Sequence, residues 1–323
     1  MKNKKFISPY PLSNSVLFLV FNRFHETKEV FREICKAKPP RLYIASDGPR
    51  EWVNGEKEKV LKIREMVTTI DWQCEIKTLF RDKNLGCKEA VSEAISWFFK
   101  NEHQGIILED DCRPSQSFFW FCDDLLEKYK NDQSISQITG RFENINLPKS
   151  FKEFDYFISN RGFIWGWATW RRVAINFDVD WIDKEKIISL IIKVWNKSNS
   201  LVEFMYRTLI IIQIKYKTNK SINSWAYPWN IKQNLLDKKC IIPTKNLIKN
   251  IGFGKNATHT KIKNDNISNE EINFPIRHSN NLYVNYTKFS ILEGQTSFRF
   301  LISSFKLFVL ILINLILKKL KLK

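Results

Sequence analysis

Residues 105–114 read Gly-Ile-Ile-Leu-Glu-Asp-Asp-Cys-Arg-Pro, an apolar run that ends abruptly in three acids, Glu109, Asp110 and Asp111. A short aliphatic run without helical periodicity reads as a buried strand. Four similar runs lie around it, at Val16–Phe21, Leu42–Ala45, Ile76–Phe80 and Ile135–Ile138. Between them, Glu26–Cys35, Val53–Val67, Cys87–Lys100 and Ser117–Lys130 carry apolar residues at helical spacing. Strands alternating with helices predict βα units, and hence an α/β fold with a mainly parallel central sheet flanked by helices.

The predicted architecture is Rossmann-like, but no Gly-rich dinucleotide turn is present. From about Phe142 the pattern becomes irregular and rich in Trp; Ile182–Thr218 reads as helical and Asn264–Asn285 as polar linker. With 323 residues, 44% of them apolar, the chain is too long for a disulfide miniprotein and too apolar for a disordered one. Its six cysteines form no C-x-x-C pair, which fits reduced thiols in a cytoplasm. The formal charge of +18 comes from lysines dispersed through the second half rather than gathered in a stripe, and no nucleic-acid-binding motif is recognisable. No nucleic-acid partner is therefore expected, while an anionic small molecule or membrane face would benefit from that field. At the end of the chain, residues 298–323 contain no acid, carry the apolar run Leu307–Leu317 and close on Lys318, Lys319, Lys321 and Lys323. This basic amphipathic tail is expected to lie on an anionic membrane surface, with a spanning helix as the rival.

The predicted strands deliver ionisable groups at their carboxyl ends: Asn22-Arg23, Asp47-Gly48, Arg81-Asp82 and Glu109-Asp110-Asp111. Open α/β sheets bind ligands in the crevice outside those ends. Adjacent carboxylates repel unless a cation or hydrogen-bond donors compensate them, which makes a hard divalent metal, Mg2+ or Mn2+, the natural partner. The plain alternative is that the acids cap the following helix.

These residues resemble the GT-A nucleotide-sugar glycosyltransferases, in which an acidic motif ends a strand. The Glu-Asp-Asp form is similar to the N-acetylglucosaminyltransferase I group, and more closely to related bacterial nucleotide-diphospho-sugar transferases. The likeness is carried by Phe21-Asn22-Arg23, residues 45–50 (Ala-Ser-Asp-Gly-Pro-Arg), residues 81–87 (Arg-Asp-Lys-Asn-Leu-Gly-Cys), residues 165–170 (Trp-Gly-Trp-Ala-Thr-Trp), residues 250–254 (Asn-Ile-Gly-Phe-Gly) and residues 257–260 (Ala-Thr-His-Thr). The resemblance implies a nucleotide-sugar-binding half over 1–141 and an acceptor-side half over 142–262, followed by a polar linker over 263–297 and the tail over 298–323. It implies that Arg23 and Asp47 hold the nucleotide, Asp47 at a base edge, that Asp111 is the direct metal ligand, and that Glu109 and Asp110 face donor sugar and ribose. Arg81, Lys88 and His259 are candidates to add positive charge, His259 being as readily a packed loop residue. Asn84 and Gly86 open a helix whose N–H groups face the donor, or Asn84 is only a cap. Trp165, Trp167 and Trp229 are candidates for an acceptor wall, or for core.

One block departs from the pattern. The family reads W-D-x-x-W before the Asn-Ile-Gly-Phe-Gly block, with the Asp suited to deprotonate the acceptor, whereas this chain has Trp225-Ala226-Tyr227-Pro228-Trp229. The base is then expected among Asp178, Asp180 and Glu203, or turnover is lost. The leading expectation is a metal-dependent, inverting glycosyltransferase, a hexosyl- or N-acetylhexosaminyl-transferase, that takes a nucleotide-diphosphate sugar, a UDP-sugar, to a glycan or lipid-linked glycan and sits peripherally on the cytoplasmic membrane face. A catalytically silent relative that binds nucleotide sugar or glycan is the runner-up.

Overall fold

The computed structural model describes residues 6–143, 147–198, 201–215, 223–253, 267–278 and 282–284. In its first half, strands β1 (Ser15–Val20), β2 (Arg41–Ser46), β3 (Glu75–Phe80) and β4 (Gln104–Glu109) alternate with helices α1 (Phe24–Ala37), α2 (Glu56–Thr68) and α3 (Gly86–Asn101). A short β5 (Cys112–Pro114), α4 (Gln116–Lys128) and β6 (Ile135–Thr139) follow. The second half adds β7 (Tyr156–Ser159), β8 (Trp167–Trp170), α5 (Arg171–Ala174), α6 (Trp181–Lys184), α7 (Ile187–Lys197), α8 (Leu201–Lys215), α9 (Ala226–Leu235), β9 (Lys239–Pro243), β10 (Ile248–Asn250) and β11 (Tyr283–Val284).

Nine of the described strands form one sheet in the order β11-β7-β9-β6-β8-β4-β1-β2-β3, and β5 pairs with β10 apart from it. The β1–β2, β2–β3 and β1–β4 pairs are parallel, as are β6–β9 and β7–β11, while β8 runs antiparallel between β4 and β6. The fold is therefore α/β with a large, mainly parallel sheet. Alternation along the strands sorts the core into two layers. Val16, Phe18, Ile106 and Leu108 face a layer with Val30, Ile34, Ile63 and Leu125 from α1, α2 and α4. Leu17, Leu19 and Ile107 face the other, with Ala94, Ile95, Phe98 and Phe99 of α3. Each such burial contributes about 1.5–3 kcal/mol, so a one-residue slip that reversed the faces would be costly in both layers.

The structure revises three expectations. The Trp-rich stretch contains β8, whose four residues are all buried at the centre of the sheet, with Trp167 opposite Ile107 and Trp170 opposite Gln104. The long helical stretch 182–218 is broken into α6, α7 and α8 as far as residue 215, after which it leaves the described residues. Part of the expected linker packs on the body: Ile272 and Ile276 enter the first core layer, Glu271 accepts the N–H groups of Gln116 and Ser117 at the start of α4, and Tyr283–Val284 joins β7. Ile272, Phe274 and Ile276 recur every second residue, a strand-like signal hidden in a polar surrounding. The tail 298–323, with its expected amphipathic helix, lies outside the described residues. Among the described residues no helix is long and apolar enough to cross a membrane.

Candidate functional site

β1 continues through α1 to β2 on one side, while β4 pairs on its other side, so the connections diverge between β1 and β4. A crevice outside the strand carboxyl ends at such a divergence is where open α/β sheets take ligands. Arg23 enters it from the turn into α1, and Glu109, Asp110 and Asp111 enter it from the end of β4.

The strand stops at Glu109, so the alternation that would set Glu109 and Asp111 on one face does not continue. Instead Asp110 and Asp111 converge on one guanidinium. Arg23 Nη1 donates to Asp111 Oδ2 at 2.6 Å and to Asp110 Oδ1 at 3.1 Å. All three side chains are largely buried, at 19%, 15% and 10% exposure for Arg23, Asp111 and Asp110. Burial opposes the charge on Arg23, but Asp110 and Asp111 more than offset it and raise its pKa. Burial likewise drives Asp110 up, with Arg23 opposing and Asp111 adding repulsion. Glu109 rises through burial and then through Asp111 and Asp110. Its Oε1 is enclosed with no hydrogen-bond partner among the described residues.

The block around Asn250 backs this cluster. β10 pairs antiparallel with β5, Asn250 opposite Cys112, and Ile251 donates its N–H to the Asp111 carbonyl at 2.8 Å. That brings Gly252 so close that a Cβ there would stand 2.2 Å from Asp111 Oδ2, which only glycine avoids. Phe253 then meets the edge of Trp165 at 5.9 Å, and the Arg141 guanidinium lies 4.9 Å from the centre of the Trp165 ring. Trp165 thus remains half-buried beside the acids. Trp167 and Trp229 do not form an acceptor wall: both are fully buried with Trp225 in the second core layer, where no sugar ring reaches their faces.

Asp47 is committed to the protein. Its carboxylate accepts the N–H groups of Gly48, Leu85 and Gly86 and the Asn84 amide, at 2.9, 3.0, 2.9 and 3.0 Å. It therefore caps α3 from across the sheet, and the Gly86 N–H that sequence reasoning offers to a donor is spent on it. Gly86 adopts φ +81°, a left-handed turn that suits glycine. Arg81 pairs with Glu93 at 3.0 Å. Lys88, on the first turn of α3, pairs with Asp180.

Among the expected bases, Asp178 is held by Lys184 and its pKa is lowered by that bond. Glu203 is no base for this crevice: it is buried in the helical cluster of α7 and α8 and paired with Arg207. Asp180 is half-exposed and reaches the rim through Lys88. Ala226 opens α9 and packs on the second core layer. His259 lies outside the described residues. Sequence reasoning missed Glu56, which accepts from Asn22 at 2.7 Å and from Arg50, tying the loop after β1 to the start of α2.

The donor chemistry suits a hard cation, being carboxylate oxygen with one buried oxygen left unpartnered. Among the described residues, no group of three or more His, Cys, Asp and Glu side chains is placed to hold a metal ion by itself.

No family model matches the chain, and no curated protein does. Among solved structures it is similar to the mannosyltransferase PcManGT from Pyrobaculum calidifontis in complex with GDP-Man and Mn2+, at 10% identity and a TM-score of 0.34, over 73% of this chain and 77% of that one. It is also similar to UDP-glucose pyrophosphorylase complexed with UDP-glucose, at 10% identity and 0.35, over 72% and 90%. A third likeness is to HddC from Yersinia pseudotuberculosis, at 9% and 0.31, over 51% and 80%. None of these likenesses carries a residue correspondence to this chain.

Proposed function

We propose that this chain is a metal-dependent glycosyltransferase that moves a sugar from a nucleotide-diphosphate donor, a UDP-sugar, to a hydroxyl of a glycan or lipid-linked glycan, with inversion. One observation carries the reading: Arg23, Asp110 and Asp111 meet in the crevice where the connections of the parallel sheet diverge. The blocks around Asn22, Asp47, Asn84 and Asn250 that carry the sequence resemblance support it, since all four pack around that crevice. Asp111 would hold a divalent cation, with Asp110 and the unpartnered Glu109 beside it. When bound, that cation supplies Lewis-acid charge to the departing diphosphate. Arg23 contributes a guanidinium suited to phosphate, and the half-buried Trp165, backed by the buried Arg141, offers an aromatic surface to the acceptor.

The test is a panel of nucleotide sugars screened for thermal stabilisation with and without Mn2+. A ligand that binds only the folded state raises the unfolding temperature. One donor is expected to do so by several degrees with Mn2+ and far less without it; no response to any donor overturns the reading. A binding-only role is the second reading, favoured by Ala226 at the head of α9 and by the ion pairs that engage Asp178, Asp180 and Glu203. Donor stabilisation without sugar transfer to any acceptor would select it.

A further inference from the structure

We propose that Arg23 is a resident counter-ion which the site hands over to a diphosphate. Its guanidinium holds Asp110 and Asp111 before ligand arrives and shifts to phosphate oxygens as those carboxylates turn to a divalent cation. Metal and diphosphate then bind as one strongly coupled unit. The inference rests on the donor-site reading above and adds its order of binding.

Three carboxyl groups end β4, and one guanidinium reaches two of them through a single nitrogen, at 2.6 and 3.1 Å. Neighbouring cations are engaged elsewhere: Arg81 with Glu93, Lys88 with Asp180, Arg50 with Glu56. Arg64 donates to the carbonyls of Asp47 and Arg81. A divalent cation at Asp111 therefore meets a positive charge already bonded to Oδ2 and must compete with it. Like charges a few ångströms apart in a largely buried site repel, so metal alone is disfavoured. A diphosphate changes the balance, because guanidinium pairs with phosphate oxygens in a bidentate geometry and can leave the carboxylate. Arg23 is well placed for this: it caps the first turn of α1, where Thr27 donates its N–H to the Arg23 carbonyl at 2.9 Å, so the backbone stays fixed while the side chain exchanges partners. Gly252 lies against the same Asp111 Oδ2 that Arg23 holds and limits how far the carboxylate can retreat.

Binding of Mn2+ alone, and of Mn2+ with inorganic pyrophosphate, is measured by calorimetry and by the spectrum of free Mn2+. Pyrophosphate serves as a probe that needs no knowledge of the base or sugar. In wild type, pyrophosphate should tighten Mn2+ binding by tenfold or more, and by linkage Mn2+ should tighten pyrophosphate equally. Arg23→Gln should bind Mn2+ alone on the order of tenfold more tightly than wild type, with most of the coupling gone, whereas Arg23→Lys, which keeps the charge, should bind Mn2+ alone as wild type does. Unchanged Mn2+ affinity in Arg23→Gln, with pyrophosphate still binding to wild type, overturns the inference and leaves the donor-site reading standing. If wild type binds neither Mn2+ with pyrophosphate nor any nucleotide sugar, both fall. Should Arg23→Gln fail to fold, the wild-type coupling decides alone, and its absence overturns the proposal.

Discussion

Gly86 donates its backbone N–H to Asp47 Oδ2 at 2.9 Å, which joins the loop after β2 to the first residue of α3. The helix has no side-chain cap of its own, so Asp47 supplies one from elsewhere in the chain. Loss of a helix cap costs about 0.5–2 kcal/mol. Asp47→Ala is expected to lie in that range by thermal or denaturant unfolding, with Asp47→Asn milder. If Asp47→Ala instead abolished donor binding at unchanged stability, the residue would be a nucleotide contact and the capping role would be wrong.

Asp111→Ala is expected to keep the fold. Arg23 retains Asp110 at 3.1 Å, and one source of repulsion for the buried acids is removed. Unfolding free energy should stay within about 1 kcal/mol of wild type, while Mn2+-dependent stabilisation by donor disappears. Retained donor affinity with Mn2+ would remove Asp111 from the site.

Much of this site is legible from residue order alone, because its acids and its arginine end apolar runs that have to be buried strands. Arg23 and Glu109–Asp111 follow β1 and β4, and parallel pairing then sets them side by side. The roles of Asp47, Trp167 and Trp229 were not legible. A carboxylate after a strand looks the same whether it meets a ligand or the N–H groups of Leu85 and Gly86, 38 and 39 residues on. Trp167 has the composition of an exposed sugar platform, yet the antiparallel insertion of β8 between β4 and β6 encloses it, and nothing local announces that pairing. Glu203 and Arg207 stand four apart on α8, a spacing that pairs them on one helix face, but the burial of that face is set by packing that the local sequence does not show.

Gly252→Ala tests the packing behind Asp111. A methyl group there meets Asp111 Oδ2 at 2.2 Å and Asp111 Cβ at 2.7 Å, so the carboxylate has to move. Donor and Mn2+ binding should weaken by at least tenfold while the unfolding transition stays cooperative. Wild-type Mn2+ binding in this variant would show that the exact seat of Asp111 does not matter.

Glu56 gives the protein a defined acid sensitivity. Hydrogen bonds from Arg50, with help from Asn22, hold its pKa at about 2 against an ordinary 4.5. A depressed folded-state pKa means that the stabilisation is fully present above about 4.5 and is lost as pH falls from there towards about 2. Stability of Glu56→Gln should therefore fall less steeply than that of wild type through this window, and the two curves should run parallel above it. Unfolding measured from pH 7 downward checks this; identical slopes would show that the bond to Arg50 does not form in solution.

Lys88 and Asp180 join the head of α3 to the segment before α6, so Asp180 is half-exposed at the rim while Asp178 is tied back by Lys184. If sugar transfer is detected, Asp180→Asn should lower kcat by about a hundredfold or more, the scale of a lost general base, with donor affinity retained. Glu203→Gln should act through stability alone, because the group is buried away from the crevice. Pro228 falls in the first turn of α9, where a missing N–H is tolerated, so Ala226→Asp need not distort the helix start. In a chain that binds donor but transfers poorly, Ala226→Asp should raise transfer. A full rate in wild type that neither Asp180→Asn nor Ala226→Asp alters would assign the base to another group and retire both carboxylate hypotheses.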